Sequence, residues 1–336
     1  MHGLFAGETH GQQREAAAEL LRRREARRQL AAYIGYTSPK YKQSGFSASV
    51  CAALDMFLDD MRAGKRPILI LQAPPQHGKS EIVSRKLPAY ILGRFPDWRV
   101  GAASYSDELA NAMAQDVRRN LADDRHRKLF PQPAEKRRYD VNRTGEFTAP
   151  GGAGGYLGVG VGAGLTGRPV DIGIIDDPVK NEKEALSPTV KEGHWNWYQT
   201  VFTTRLSENS GQIIMATSWA EDDLPARICK HFNGDPRLTV LRFPAINLPG
   251  EVGYNPNLPQ GPLVPELKSL AFLQEVKSLF SDYWWAALYQ QSPRSLGGNV
   301  FKETGLRYYL PKDLPAKFDK VIASLEVPVR AHFPVI

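Results

Sequence analysis

An α/β fold with a mainly parallel central sheet flanked by helices, plus a small lid or linker unit, is what this 336-residue sequence predicts. Two observations carry that prediction. Short apolar runs at Ile68–Leu71, Val170–Ile175 and Gln212–Thr217 suit central strands buried on both faces. Stretches with apolar residues at helical spacing separate them, as crossovers between parallel strands require. Past Phe243 the alternation fades. Residues 244–266 are rich in Pro, Gly and Asn, and a helical section follows at about 267–292.

Each element has its own signal. Residues 12–34 read as one helix, because Ala, Leu, Arg and Glu dominate there and Gly and Pro do not occur. Ala48–Arg62 carries apolar residues at helical spacing (Val50, Leu54, Phe57, Leu58, Met61). The strand Ile68–Leu71 leads into a Pro- and Gly-containing loop and a helix from about Ser80 to Leu92. Trp98–Ser104 is a second strand, and Asp107–Leu121 a helix with Asp107 as its N-cap. Residues 151–168 hold nine glycines among 18 residues, yet the interleaved Tyr156, Leu157, Val159, Val161 and Leu165 favour packed strands and turns over a linker. Lys191–Thr204 is a helix rich in aromatics.

Composition narrows the function. Hydrophobic residues make up 42% and charged residues 24%, an ordinary mixture that can bury a core in two or three structural units. No apolar run is long enough for a membrane span. The N-terminus lacks the apolar core of a signal peptide, so a cytoplasmic protein is expected. Two cysteines far apart, Cys51 and Cys229, exclude a disulfide framework and a cysteine-rich zinc site. The net charge of +7 is concentrated: residues 14–42 hold eight Lys/Arg against three Glu, and residues 117–143 nine against four acidic residues. Two such regions imply a polyanion, with nucleic acid the obvious one; each region taken alone is equally well a solvated helix face.

The strongest motif is Ala73-Pro74-Pro75-Gln76-His77-Gly78-Lys79-Ser80, between a strand and a helix. Bound phosphates need converging backbone N–H groups, a cation and a magnesium ligand. Residues Pro75 to Ser80 supply the cradle, Lys79 the cation and the Ser80 hydroxyl the ligand. Ala73 stands where the pattern usually begins with glycine. An unpaired lysine at a helix start would be badly placed against the helix dipole, which favours phosphate binding. His77 lies inside this loop, and packing is its expected purpose rather than proton transfer. The second motif is Asp176–Asp177 at the end of an apolar strand. Asp176 is assigned to Mg2+ and Asp177 to orienting the attacking water of ATP hydrolysis; the alternative is an Asp-Asp-Pro turn that merely ends the strand. Together the two motifs make the fold a P-loop NTPase of the ASCE type.

With these residues in place, the chain resembles large terminase subunits, the DNA-packaging motors of tailed double-stranded DNA bacteriophages, over roughly residues 43–310. The matching stretches are PPQHGKSEIVS, ASYSDELANAMAQDVR, GGYLGVGVGAGLTGRPVDIGIIDDPVKNEKEA, HWNWYQTVFTTRL and IIMATSWAEDDLPARI. The resemblance implies an ATPase that pumps double-stranded DNA into a procapsid in the host cytoplasm. It also implies a portal protein and a small terminase subunit as partners, and a homo-oligomeric ring, a pentamer on the capsid and a monomer in solution. It makes Thr217 the sensor of the γ-phosphate. Members often carry Arg at the positions of Gln76 and Ser218, so another arginine must steady the transition-state charge. Arg168 is the choice, reaching into a neighbouring subunit, with a structural salt bridge as its alternative. Ser104 and Tyr105 are expected to help line the site. Trp195, Trp197 and Tyr198 could stack on bases, but at helical spacing they read as core.

The resemblance divides the chain into an N-terminal basic helical arm (1–42), the ATPase core (43–243), a lid or linker subdomain (244–310) and the start of a truncated or missing nuclease domain (311–336). KFDKVIASLE at 317–326 matches that domain's first strand, with Glu326 where an Asp usually stands. One carboxylate cannot assemble a two-metal centre, so nuclease activity is not expected. Two other classes stay open. A helicase-like ATPase should show further motifs, which are not found, and a non-hydrolysing DNA-binding scaffold would keep the fold without turnover.

Overall fold

Strand β1 (Ile68–Gln72) is buried at every residue. The computed structural model describes residues 10–132, 141–165 and 169–294. These fall in the unit Met1–Ser295; the second unit, Leu296–Ile336, lies outside the described residues, and so does the expected nuclease strand at 317–326. Around β1 stand β2 (Arg99–Ser104), β3 (Glu146–Thr148), β4 (Gly155–Gly160), β5 (Val170–Asp176), β6 (Leu206–Ala216) and β7 (Leu238–Arg242). Their order across the sheet is β3-β4-β2-β5-β6-β1-β7, and every neighbouring pair is parallel except β3 with β4. The expected parallel α/β architecture is what the chain adopts.

Side-chain alternation explains why the central strands are apolar throughout. Leu69 and Leu71 of β1, Ile172 and Ile174 of β5, and Ile213 and Met215 of β6 enter one core cluster. Ile70, Ile175 and Ile214, their neighbours in sequence, enter the cluster on the opposite face. Both faces exclude water, so both positions of the two-residue period favour apolar side chains. Trp197 and Tyr198 are buried in the second cluster, as the core reading of that aromatic group expects, whereas Trp195 is only half-buried against it.

The helices differ from the expectations in instructive ways. Residues 12–34 form two helices, α1 (His10–Ala26) and α2 (Leu30–Thr37), rather than one. Gln29 is extended between them, and the Leu30 N–H is taken by the Asp55 carboxylate at 3.0–3.1 Å. Asp55 belongs to α3 (Gly45–Arg62), so the break is imposed by a tertiary partner that composition cannot reveal. The helix expected over 80–92 is a widened turn, Glu81–Lys86, followed by α4 (Leu87–Arg94). Pro88 has no N–H to offer the preceding turn, which disrupts the regular ladder there. Helix α5 (Asp107–Ala122) is capped by Ser106 and not by Asp107, whose Oδ1 instead accepts from the Gly160 N–H at 2.6 Å. A short basic helix, α6 (Asp124–Leu129), follows.

The glycine-rich stretch is packed structure. A Cβ at Gly154 would lie 2.1 Å from the Trp98 carbonyl oxygen, and one at Gly155 2.3 Å from that of Phe147. After β5 come α7 (Glu182–Leu186) and α8 (Pro188–Trp197). The latter continues as a wide turn, Tyr198–Phe202, and a tight one, Thr203–Arg205, where one helix over 191–204 was expected. Helix α9 (Leu224–His231) follows β6. Beyond Phe243 stand a two-stranded ribbon, β8 (Ile246–Asn247) with β9 (Gly261–Pro262), then α10 (Leu270–Leu279), α11 (Asp282–Trp284) and a wide turn, Trp285–Tyr289. Ala245, Ile246, Leu273 and Trp285 give this segment a small core of its own. No helix among the described residues is long and apolar enough to cross a membrane.

Candidate functional site

Strand register brings the site together. Ser104 of β2 pairs with Asp176 of β5, Asp176 with Met215 of β6, and Ala216 with Gln72 of β1, so four C-terminal strand ends form one edge. The loop from Ala73 to Ser80 rises from that edge. It turns through two left-handed residues, Gln76 (φ 58°) and Gly78 (φ 89°), of which only the glycine adopts that conformation without steric cost. The Lys79 side chain is 5% exposed; its ammonium donates to Thr217 Oγ1 at 2.6 Å and pairs with Asp177 Oδ2 at 2.8 Å. A buried cation needs such partners.

Asp177 is itself left-handed (φ 42°), and its Oδ1 accepts from the Thr217 N–H at 2.6 Å. Lys79, Asp177 and Thr217 thus close a triangle. Asp176 is wholly buried. Ser80 Oγ donates to its Oδ1 at 3.3 Å, and Ser84 Oγ to its Oδ2 at 2.6 Å. Burial and the neighbouring Asp177 charge hold its pKa above the ordinary carboxylate value, against the pull of Ser84, Lys79 and Ser80. The arrangement fits Mg2+: a hydroxyl and a carboxylate, both hard oxygen donors, stand side by side. Magnesium favours such sparse protein ligation, with waters and phosphate oxygens completing its shell.

His77 is 3% exposed, and its Nδ1 lies 2.9 Å from the Pro75 carbonyl oxygen. Burial lowers its pKa to about 4, so the ring is neutral at pH 7. Gln76 is exposed at the loop's tip. Ser104 is wholly buried, its Oγ without a partner among the described residues, and Tyr105 is 37% exposed. Arg168 lies outside the described residues.

Several neighbours of the site were not foreseen. Ser84 is one; its only sequence signal is a position one helical turn beyond Ser80, on the same face. Gln72, Arg242 and Gln291, gathered round Ser218, are the others. Gln72 Nε2 donates to Ser218 Oγ at 2.6 Å, and Arg242 Nε donates to Gln72 Oε1 at 2.9 Å. A buried glutamine ending an apolar strand was a legible hint.

The two basic stretches of the sequence also meet. Arg27 Nε donates to the Leu129 carbonyl at 2.6 Å, and Tyr33 Oη lies 2.9 Å from His126 Nδ1. This packing sets exposed Arg22 across a shared surface cavity from exposed Arg125 and Lys128, with Glu19 and Glu25 also on its lining.

Comparison with known proteins gives this geometry a family. A family model described as terminase large subunit, T4likevirus-type, N-terminal matches residues 70–304. The chain belongs to the terminase large-subunit family. A comparison with curated protein sequences found no match. Among solved structures, the large terminase of bacteriophage HK97 aligns with a TM-score of 0.50 at 14% identity, covering 75% of this chain and 51% of that one. The large terminase ATPase domain of Thermus phage P74-26, as an arginine-to-alanine mutant, aligns with a TM-score of 0.49 at 15% identity, over 76% of this chain and 96% of that one. This chain therefore spans about half the length of the HK97 protein. The core has the P-loop NTPase fold.

Proposed function

We propose that this chain is the ATP-hydrolysing motor of a viral terminase, translocating double-stranded DNA into a procapsid. The observation that carries the reading is the triangle of Lys79, Asp177 and Thr217 beside the Ser80–Asp176 pair, at the mouth of a loop that opens a helix. Phosphoryl transfer asks the protein mainly for positioning and charge stabilisation, and these residues supply both. Lys79 leaves Asp177 for the β- and γ-phosphates, and the Pro75–Ser80 backbone cradles them. Freed from Lys79, Asp177 orients the attacking water. Thr217, adjoining both groups, registers whether the γ-phosphate is present. Mg2+, held by Ser80 and Asp176, would neutralise phosphate charge. Arg168 is the cation supplied to a neighbouring subunit, since Gln76 and Ser218 bring none. That role goes with a pentameric ring working with a portal protein and a small terminase subunit in the host cytoplasm.

The test is an ATPase assay on the purified chain with and without double-stranded DNA. Magnesium-dependent turnover that rises with DNA and is lost in Lys79→Ala is expected. Tight ATP binding with no turnover, with or without DNA, would leave a scaffold and sink the motor.

A further inference from the structure

A buried chain of side chains runs from the phosphate loop into the segment after Phe243. Among the described non-glycine residues four have left-handed backbones: Arg66, Gln76, Asp177 and Gln291. Gln76 and Asp177 belong to the site, whereas Gln291 (φ 52°) lies far along the sequence, just after the wide turn Trp285–Tyr289. Such a conformation is unfavourable for a side-chain-bearing residue and persists only where its surroundings impose it. Here the imposing contacts are made by the glutamine's own side chain, which is wholly buried. Its Oε1 accepts from the Ser218 N–H at 3.0 Å, and its Nε2 donates to the Leu288 carbonyl at 2.5 Å. Gln290 beside it accepts from the Ile246 N–H at 3.0 Å and donates to the Ile246 and Val252 carbonyls, each at 2.9 Å. The pair is thus rooted in the small ribbon.

Ser218 is the other half of the contact. It too is wholly buried, and one peptide bond separates it from Thr217, whose hydroxyl and N–H engage Lys79 and Asp177. Gln72 holds the Ser218 hydroxyl from the β1 side. The Thr217–Ser218 peptide is therefore gripped at one end by the proposed catalytic groups and at the other by Gln291. We infer that Gln291 is a positioning residue for hydrolysis, holding the Ser218 amide so that Thr217 keeps Lys79 and Asp177 aligned with the phosphates. The inference rests on the ATPase reading above.

Two substitutions at this position separate positioning from mere support. Gln291→Gly removes the acceptor while relieving the left-handed backbone, and Gln291→Glu, its carboxyl kept neutral by burial, keeps an acceptor oxygen at the same reach and an O–H in place of the amide donor towards Leu288. In the full chain, Gln291→Gly is expected to lower kcat about tenfold while KM for ATP moves less than about twofold, the signature of lost alignment rather than lost binding. Amide exchange at residues 217–219 should quicken, and Gln291→Glu should restore both kcat and protection. Should the glycine variant not fold, Gln291→Asn, which is too short to reach the amide and tolerates a left-handed backbone, takes its place. Unchanged exchange at 217–219, unchanged kcat, or equal losses in the Gly and Glu variants with a lowered Tm would overturn the inference. If the unmodified chain turns over no ATP, the ATPase reading fails by itself. The exchange measurement then decides the contact alone: faster exchange confined to 217–219 supports it, and unchanged exchange overturns it.

Discussion

Lys79 has two anions to choose between. It pairs with Asp177 Oδ2 at 2.8 Å, so a phosphate competes with that carboxylate for the ammonium. Asp177→Asn removes the competitor but leaves an oxygen to accept from the Thr217 N–H. ATP binding should therefore be as tight or tighter in Asp177→Asn, measured by titration with a fluorescent nucleotide, while hydrolysis falls by about 100-fold or more, the usual range for losing a positioned proton acceptor. Lys79→Ala should lose both. Near-normal turnover in Asp177→Asn would shift the water-orienting role, with Glu182 and Glu184 of α7 next to be tested. That Lys79, Ser80, Asp176 and Asp177 meet was legible in the sequence, because a loop motif and an acidic pair each follow an apolar strand of one parallel sheet. Ser84 and Gln291 were not. Their partners lie 92 and 73 residues away, and a serine or glutamine carries no pattern until the fold brings that partner close.

At the scale of elements, apolar strands announced themselves, whereas helix ends and breaks were set by partners elsewhere in the chain. Asp55 splits the N-terminal helix, and Ser106 rather than its acidic neighbour caps α5. The glycine-rich stretch was read as packed strands because its apolar residues alternate, and β4 shows why glycine is needed there: carbonyls of neighbouring segments occupy the space of a Cβ. Gly155→Ala should therefore destabilise the protein by about 1–3 kcal/mol, the usual cost of overpacking. A urea midpoint unchanged from that of the unmodified chain would show that β3 yields instead. Helix α6 offers a pH test. Burial lowers the His126 pKa from 6.5 to about 4, so the ring enters the fold neutral. The unfolded chain takes up this proton first as the pH drops, so the associated stability is complete above about pH 6.5 and is lost progressively towards pH 4. The two values imply a loss of about 3 kcal/mol as an upper bound. His77 titrates in the same direction, so the comparison must be with His126→Asn, which retains a polar atom towards Tyr33. Its Tm should fall less steeply between pH 7 and pH 4.5. Parallel pH profiles would mean that His126 is not the group responsible.

For the molecule as a whole, the question is what its positive charge is for. The sequence separates the two basic stretches by about eighty residues, and only the fold shows that they meet, with Arg22, Arg125 and Lys128 on one surface cavity. A packaging motor must accept any base sequence, so such a face should hold phosphates and ignore base edges. Binding of double-stranded DNA should then weaken linearly on a log–log plot against salt, by about 0.9 in slope for each phosphate neutralised. The exposed Arg22, Arg24 and Arg28 can be removed together without touching the buried Ala26 and Leu30 that anchor the helices. Their triple alanine variant should keep its Tm, bind DNA more weakly by the same factor whatever the sequence, and lose about 2–3 from the salt slope. The complementary set, Arg125, Arg127 and Lys128 of α6, should behave alike, because Arg125 and Lys128 line the same surface cavity as Arg22. The combined variant should lose slope from both. If either set leaves the slope unchanged while DNA still binds, that part of the face serves protein contacts, and the phosphate grip must be sought on the other basic residues of the chain.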